Sequence, residues 1–137
     1  MTRKAKYLLD SDLLIATLRG NADARATLEH FLRYEDCALS VVAYTEVATG
    51  EYMRDPRVSR SVRDFLDPIP ALDYTRAMAQ RAARVHAQVR ASGRQMGLGD
   101  LQIAATAAFS KRVLLTRNTA HFALFVDQDK QLELREW

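Results

Sequence analysis

The stretch Tyr7-Leu8-Leu9-Asp10-Ser11-Asp12-Leu13-Leu14-Ile15 constrains this chain more than any other. An apolar run stops at one carboxylate and a second carboxylate follows two residues later. Apolar residues then resume at helical spacing. The simplest reading is a buried strand ending at Asp10 and a helix starting at Ser11. Open parallel sheets bind ligands just beyond the carboxyl ends of their strands, which is where Asp10 would sit. A plainer reading stays open on this stretch alone: Ser11 or Asp12 merely caps a helix.

The rest of the chain repeats the alternation. A helix over residues 11–19 stops at Gly20 and Asn21. Asn21 caps a second helix with Ala24, Leu28, Phe31 and Leu32 on one face. Residues 37–40 read as a second strand and 41–53 as a helix with Val42, Thr45, Thr49 and Met53 aligned. Asp55-Pro56 starts another helix, with Pro at its first position, burying Val58, Val62, Phe65 and Leu66. Residues 69–72 form a third strand, placed by Pro70 at an edge or a strand end. Asp73 caps a long helix whose apolar stripe runs through Tyr74, Met78, Ala82, Val85 and Val89 and which ends at Gly93. A small-residue helix over 100–110, a strand over 112–116 and a last strand over 132–137 complete the plan. Strands alternating with helices predict an α/β fold with a mostly parallel sheet covered on both faces.

The bulk properties set the class. At 137 residues, 48% of them hydrophobic, residues 1–137 suit one domain with a real core. A single cysteine, Cys37, excludes an internal disulfide and a Cys-cluster zinc site. No apolar run is long enough to span a bilayer, and no signal-type stretch follows the basic start, so a cytoplasmic protein is expected. The net charge of +3 permits a polyanionic partner without demanding one.

Three acids fall at comparable places. Asp10 ends the first strand and Asp100 opens the small-residue helix. Glu46 lies in the helix after the second strand, but a side chain that leans toward its helix N-terminus can reach the same rim. Carboxylates so gathered repel one another and raise their own pKa values, a conflict that a divalent cation removes. Hard oxygen ligands favour Mg²⁺ or Mn²⁺, and such an ion usually meets substrate phosphate. The chemistry this suggests is metal-assisted phosphodiester hydrolysis.

With Asp10, Glu46 and Asp100 taken together, the sequence resembles the PIN-domain ribonucleases, and more narrowly the VapC-type toxins of toxin–antitoxin pairs. Leu8-Leu9-Asp10-Ser11-Asp12-Leu13-Leu14-Ile15 matches the family's opening motif. Ser40-Val41-Val42-Ala43-Tyr44-Thr45-Glu46-Val47 matches its second and Gly99-Asp100-Leu101-Gln102-Ile103-Ala104-Ala105-Thr106-Ala107 its third. Leu115-Thr116-Arg117-Asn118-Thr119-Ala120-His121-Phe122 matches its fourth. The resemblance implies a three-layer α/β/α fold with a five-stranded parallel sheet. It also implies Mg²⁺- or Mn²⁺-dependent cleavage of RNA, often a tRNA or rRNA loop, a homodimer, and an antitoxin that blocks the site. Asp10, Glu46 and Asp100 would hold the metal. Two positions depart from the pattern: Asp12 replaces the usual Asn, and Asn118 stands at the fourth acidic position.

The neighbours carry open alternatives. Asp12 falls in a first helical turn, where capping or support is favoured over direct ligation. Thr116 can orient a carboxylate or a water, or be an ordinary strand end. Arg117 can hold a phosphate or be a plain surface residue. His121 is expected to make a structural hydrogen bond. Arg54, Arg57, Arg60 and Arg63 form a basic face able to track an RNA backbone, or a solvated one. Two rival functions remain. One is a catalytically weak PIN-like domain that binds RNA or a partner without cutting, favoured by Asn118. The other is a haloacid-dehalogenase-like phosphatase, suggested by the Asp10-x-Asp12 pair but lacking an acid at Ala104.

Overall fold

The computed structural model describes residues 5–57 and 59–137. Its sheet has five parallel strands: β1 (Lys6–Leu9), β2 (Asp36–Ser40), β3 (Ala71–Leu72), β4 (Val113–Leu115) and β5 (Leu134–Arg135). The spatial order is β3-β2-β1-β4-β5. The chain therefore runs outward from β1 to β3, crosses back, and continues from β4 to β5. The direction in which successive strands are added reverses between β1 and β4, and that crevice is where open α/β sheets take their ligands.

Seven helices lie among the described residues. On the outward run are α1 (Ser11–Leu18), α2 (Ala22–Tyr34), α3 (Val41–Arg54) and α4 (Ser59–Leu66). On the return are α5 (Arg76–Ala91), α6 (Leu98–Ser110) and α7 (Thr119–Gln128). Right-handed crossovers in opposite directions put the two groups on opposite faces, giving three layers. Helix α3 nevertheless touches α6, which becomes important at the site.

The central strands are buried on both faces, so Leu8, Leu9, Leu114 and Leu115 read as continuous apolar runs rather than alternating ones. Leu13 and Leu14 of α1 and Phe122 and Phe125 of α7 close the core and are fully buried.

Several expectations are corrected. Helix α4 begins at Ser59, not at Pro56. Asp55 instead ends α3, and its side chain accepts from the Arg57 backbone N–H at 3.0 Å. The expected burial of Val58 lies outside the described residues. Helix α5 is capped by Thr75, not Asp73, because Thr75 Oγ1 accepts from Met78 N–H and Tyr74 precedes the helix. The packed face of α3 is Ala43, Val47 and Ala48, whereas Thr45, Thr49 and Met53 face solvent. Small side chains on that face allow the helix to approach its neighbours closely. Leu32, expected on the packed stripe of α2, is 40% exposed. Helix α7 was not anticipated at all.

Candidate active site

The rim is built where β1 and β4 end together. Leu9 pairs with Leu115, and Asp10 N–H donates to Leu115 carbonyl oxygen at 3.0 Å, so Asp10 and Thr116 leave the sheet side by side. Asp10 is the N-cap of α1 and is only 4% exposed. One carboxylate oxygen accepts from Ser11 N–H at 2.8 Å and the other from Thr116 Oγ1 at 2.7 Å. Burial raises its pKa to about 7. The neighbouring Asp12 adds to this, and Asp100 contributes less, while the two hydrogen bonds oppose the rise.

Ser11 joins Asp10 to Glu46. Its hydroxyl donates to Glu46 Oε2 at 3.0 Å and its N–H to Asp10, so one residue orients two acids. Glu46 leans from α3 toward α6. Its Oε1 lies 2.5 Å from where a Cβ on Gly99 would sit, so the missing side chain at 99 is what admits it. Burial raises the Glu46 pKa; the Ser11 bond opposes this and Asp100 adds to it. Asp100, in the first turn of α6, has its Oδ2 3.0 Å from His121 Nε2 on α7.

Asp12 is spoken for by the fold. Its Oδ1 accepts from Trp137 Nε1 at 3.0 Å and its Oδ2 from Arg117 N–H at 2.9 Å, while Thr116 Oγ1, whose one proton goes to Asp10 at the shorter distance, lies 3.1 Å from Oδ2. A carboxylate so engaged is poorly placed to act as the acid of an Asp-x-Asp phosphatase. Thr116 Oγ1 also accepts from Asn118 N–H at 3.0 Å, so this buried hydroxyl ties Asp10, Asp12 and the start of α7 together. Asn118 takes the N-cap position of α7 without a side-chain capping bond and is exposed at the rim. Arg117 stacks its guanidinium 3.7 Å over the Trp137 ring.

Two members of the basic face, Arg54 and Arg57, do not join this rim. Helix α3 starts at the carboxyl end of β2 and runs 14 residues away from it, about 20 Å at 1.5 Å per residue. Arg54 and Arg57 lie at its far end and pair with their own neighbours, Glu51 and Asp55. Trp137, Ser11 and Gly99 are site-building residues for which sequence reasoning assigned no such role. Trp137 reaches Asp12 across 125 positions, and no local pattern signals such a contact.

Among the described residues no three Asp, Glu, His or Cys side chains stand close enough to form a ready cage for a metal. The acids fit a hydrated ion better. Mg²⁺ keeps several waters and takes only one or two carboxylates directly. The buried Asp10, whose charge is disfavoured by burial and by two acidic neighbours, is the group such an ion would relieve.

Comparison with known proteins identifies the family and the fold. The PIN domain family matches residues 7–125. Ribonuclease VapC10 of Mycobacterium tuberculosis is 38% identical over 118 residues, 86% of this chain and 86% of that one. The DNA-bound VapBC of Salmonella typhimurium shares the fold with a TM-score of 0.80 at 20% identity, over 97% of this chain and 98% of that one. A toxin–antitoxin complex from Klebsiella pneumoniae gives 0.70 at 26% identity, over 85% and 90%. The acid rim at the β1–β4 crevice, the strand order and these likenesses lead to one conclusion: the chain belongs to the PIN domain family.

Proposed function

We propose that the protein is an endoribonuclease dependent on Mg²⁺ or Mn²⁺, with tRNA or rRNA as its target, and that it is the toxin of a toxin–antitoxin pair. The observation that carries this reading is the gathering of Asp10, Glu46 and Asp100 around the β1–β4 crevice through Ser11 and Gly99. A divalent ion held there by Asp10 and Asp100, with Glu46, would bind a phosphate oxygen of the RNA and make the attacking water more acidic. The chain's own residues do the positioning. Thr116 and Ser11 fix both oxygens of Asp10, Ser11 aims Glu46, and His121 stands against Asp100. The amide of Asn118 can hold a water or a phosphate oxygen as donor or acceptor.

The likeness to VapC10 supports the ribonuclease reading, and the toxin–antitoxin complexes of the same fold support a cognate antitoxin. A groove of about 1100 Å³ apart from the rim, where Leu28, Leu32, Phe65 and Ile69 lie among the charged Arg25, Glu29, Glu35 and Asp64, offers such a partner a mixed apolar and charged seat. A homodimer acting on cytoplasmic RNA completes the reading. RNA binding without cutting is the second reading, favoured by the uncharged Asn118.

Purified protein incubated with cellular RNA separates the two. The expected result is cleavage with Mg²⁺ or Mn²⁺ that stops on adding EDTA; binding with no cleavage at saturating cation would favour the second reading. Expression of the protein alone should arrest growth, and a co-expressed antitoxin should relieve it. Normal growth would remove the toxin role and leave the nuclease.

A further inference from the structure

Beside Thr116 stands a cation whose hydrogen-bonding edge the protein uses only at Nε. Arg117 lies between Thr116 and Asn118, both at the rim, and its side chain is exposed. Its guanidinium face rests 3.7 Å over the Trp137 ring, and its Nε donates to the Trp137 main-chain oxygen at 3.2 Å. Its backbone N–H donates to Asp12 Oδ2, while the Trp137 indole N–H donates to Asp12 Oδ1. Asp12 thus fixes the arginine's backbone and the aromatic platform at once. Among the described residues no Asp or Glu side chain comes within ion-pair distance of this guanidinium; Nε is engaged by the Trp137 main-chain oxygen, and the two Nη groups meet no acceptor.

Stacking occupies the face of a guanidinium and leaves its edge available. That edge is the planar fork that matches two oxygens of one phosphate. A side chain pinned in advance also loses less rotamer freedom on binding.

Resting on the ribonuclease reading, we propose that Arg117 is a substrate-binding residue that grips a backbone phosphate of the RNA next to the scissile one. In this proposal Trp137 and Asp12 are the positioning residues that hold it ready.

The test is equilibrium binding of a short fluorescein-labelled single-stranded RNA to the purified protein in EDTA, which stops cleavage, at several salt concentrations. Arg117→Ala should weaken binding about tenfold, the scale of one charge-assisted contact. It should also make the salt dependence shallower by about 0.7 in log–log slope, the value for one phosphate on a single strand. Trp137→Ala should move both quantities in the same direction, and Trp137→Phe, which keeps a ring but loses the bond to Asp12, should fall between. The double variant Arg117→Ala/Trp137→Ala should bind no worse than Arg117→Ala alone, because Trp137 acts through the arginine. Arg117→Lys should recover only part of the affinity. Melting temperatures of all variants identify any that fail to fold, and Arg117→Ala, at an exposed position, is the arm that then decides. Unchanged affinity and salt slope in Arg117→Ala overturn the proposal, as does a Trp137→Ala effect that adds fully to it. If the wild type binds RNA in this way but never cuts it, the grip stands and the ribonuclease reading falls.

Discussion

Asp10 concentrates the conflict at the site. Its pKa rises from 3.8 to about 7, chiefly through burial. Between those values the folded protein holds a proton that the unfolded chain has released. Stability of the cation-free protein therefore falls as pH rises through this window, by up to a few kcal/mol from this group. Asp10→Asn removes the charge and keeps the bonding: its oxygen accepts from Ser11 N–H, and its amide donates to Thr116 Oγ1, which is then free to donate to Asp12. In EDTA at pH 8 the variant should melt at or above the wild-type temperature and show a flatter pH profile between 4 and 7. A clearly lower melting temperature at pH 8 would show that Asp10 does not carry this strain. Asn118 is the complementary case. Replacing it by Asp adds a charge to the rim, so divalent binding should tighten and half-maximal cleavage should need less Mg²⁺. Unchanged affinity by calorimetry would put Asn118 outside the site.

At the scale of elements, the approach of α3 to α6 decides whether Glu46 reaches the rim. Gly99→Ala places a Cβ 2.5 Å from the present Glu46 Oε1. The end of a flexible side chain can yield, and Ala favours a helix over Gly by about 1 kcal/mol, so the fold should lose little or gain slightly. A displaced Glu46 should nonetheless lower cleavage on the order of 100-fold, as misplacement by about 1 Å does. Equal activity in this variant would mean that Glu46 works elsewhere or not at all. The strand end at Asp10 was legible because strand, carboxylate and helix start are contiguous and each has a local signature. The packed face of α3 was not. Val42, Thr45 and Thr49 look like a stripe, yet Ala43, Val47 and Ala48 are buried because close helix packing selects small residues. Helix α7 escaped notice because Asn118 makes no side-chain cap bond and the helix follows β4 after only three residues. Its core residues, Phe122 and Phe125, stand at helical spacing and are fully buried. Phe122→Ala should cost about 3–5 kcal/mol by denaturant unfolding; a cost below about 1 kcal/mol would mean that α7 is peripheral.

At the scale of the molecule, the strand order β3-β2-β1-β4-β5 brings distant parts of the chain to one crevice. The ends of β1 and β4 supply Asp10 and Thr116, α3 and α6 supply Glu46 and Asp100, and Trp137 closes the arrangement from beyond β5. The acids could be named from the sequence because they sit in motifs with local form. The network around Asp12 could not, since its partners lie 104 to 125 residues away. Asp10, Glu46 and Asp100 acting as one cation site is the centre of this account, and calorimetric titration of Mn²⁺ tests it most directly. The wild type should bind, and Asp10→Asn, Glu46→Gln and Asp100→Asn should each weaken binding at least about tenfold while remaining folded, as loss of a charged ligand requires. Wild-type affinity in all three folded variants would contradict it.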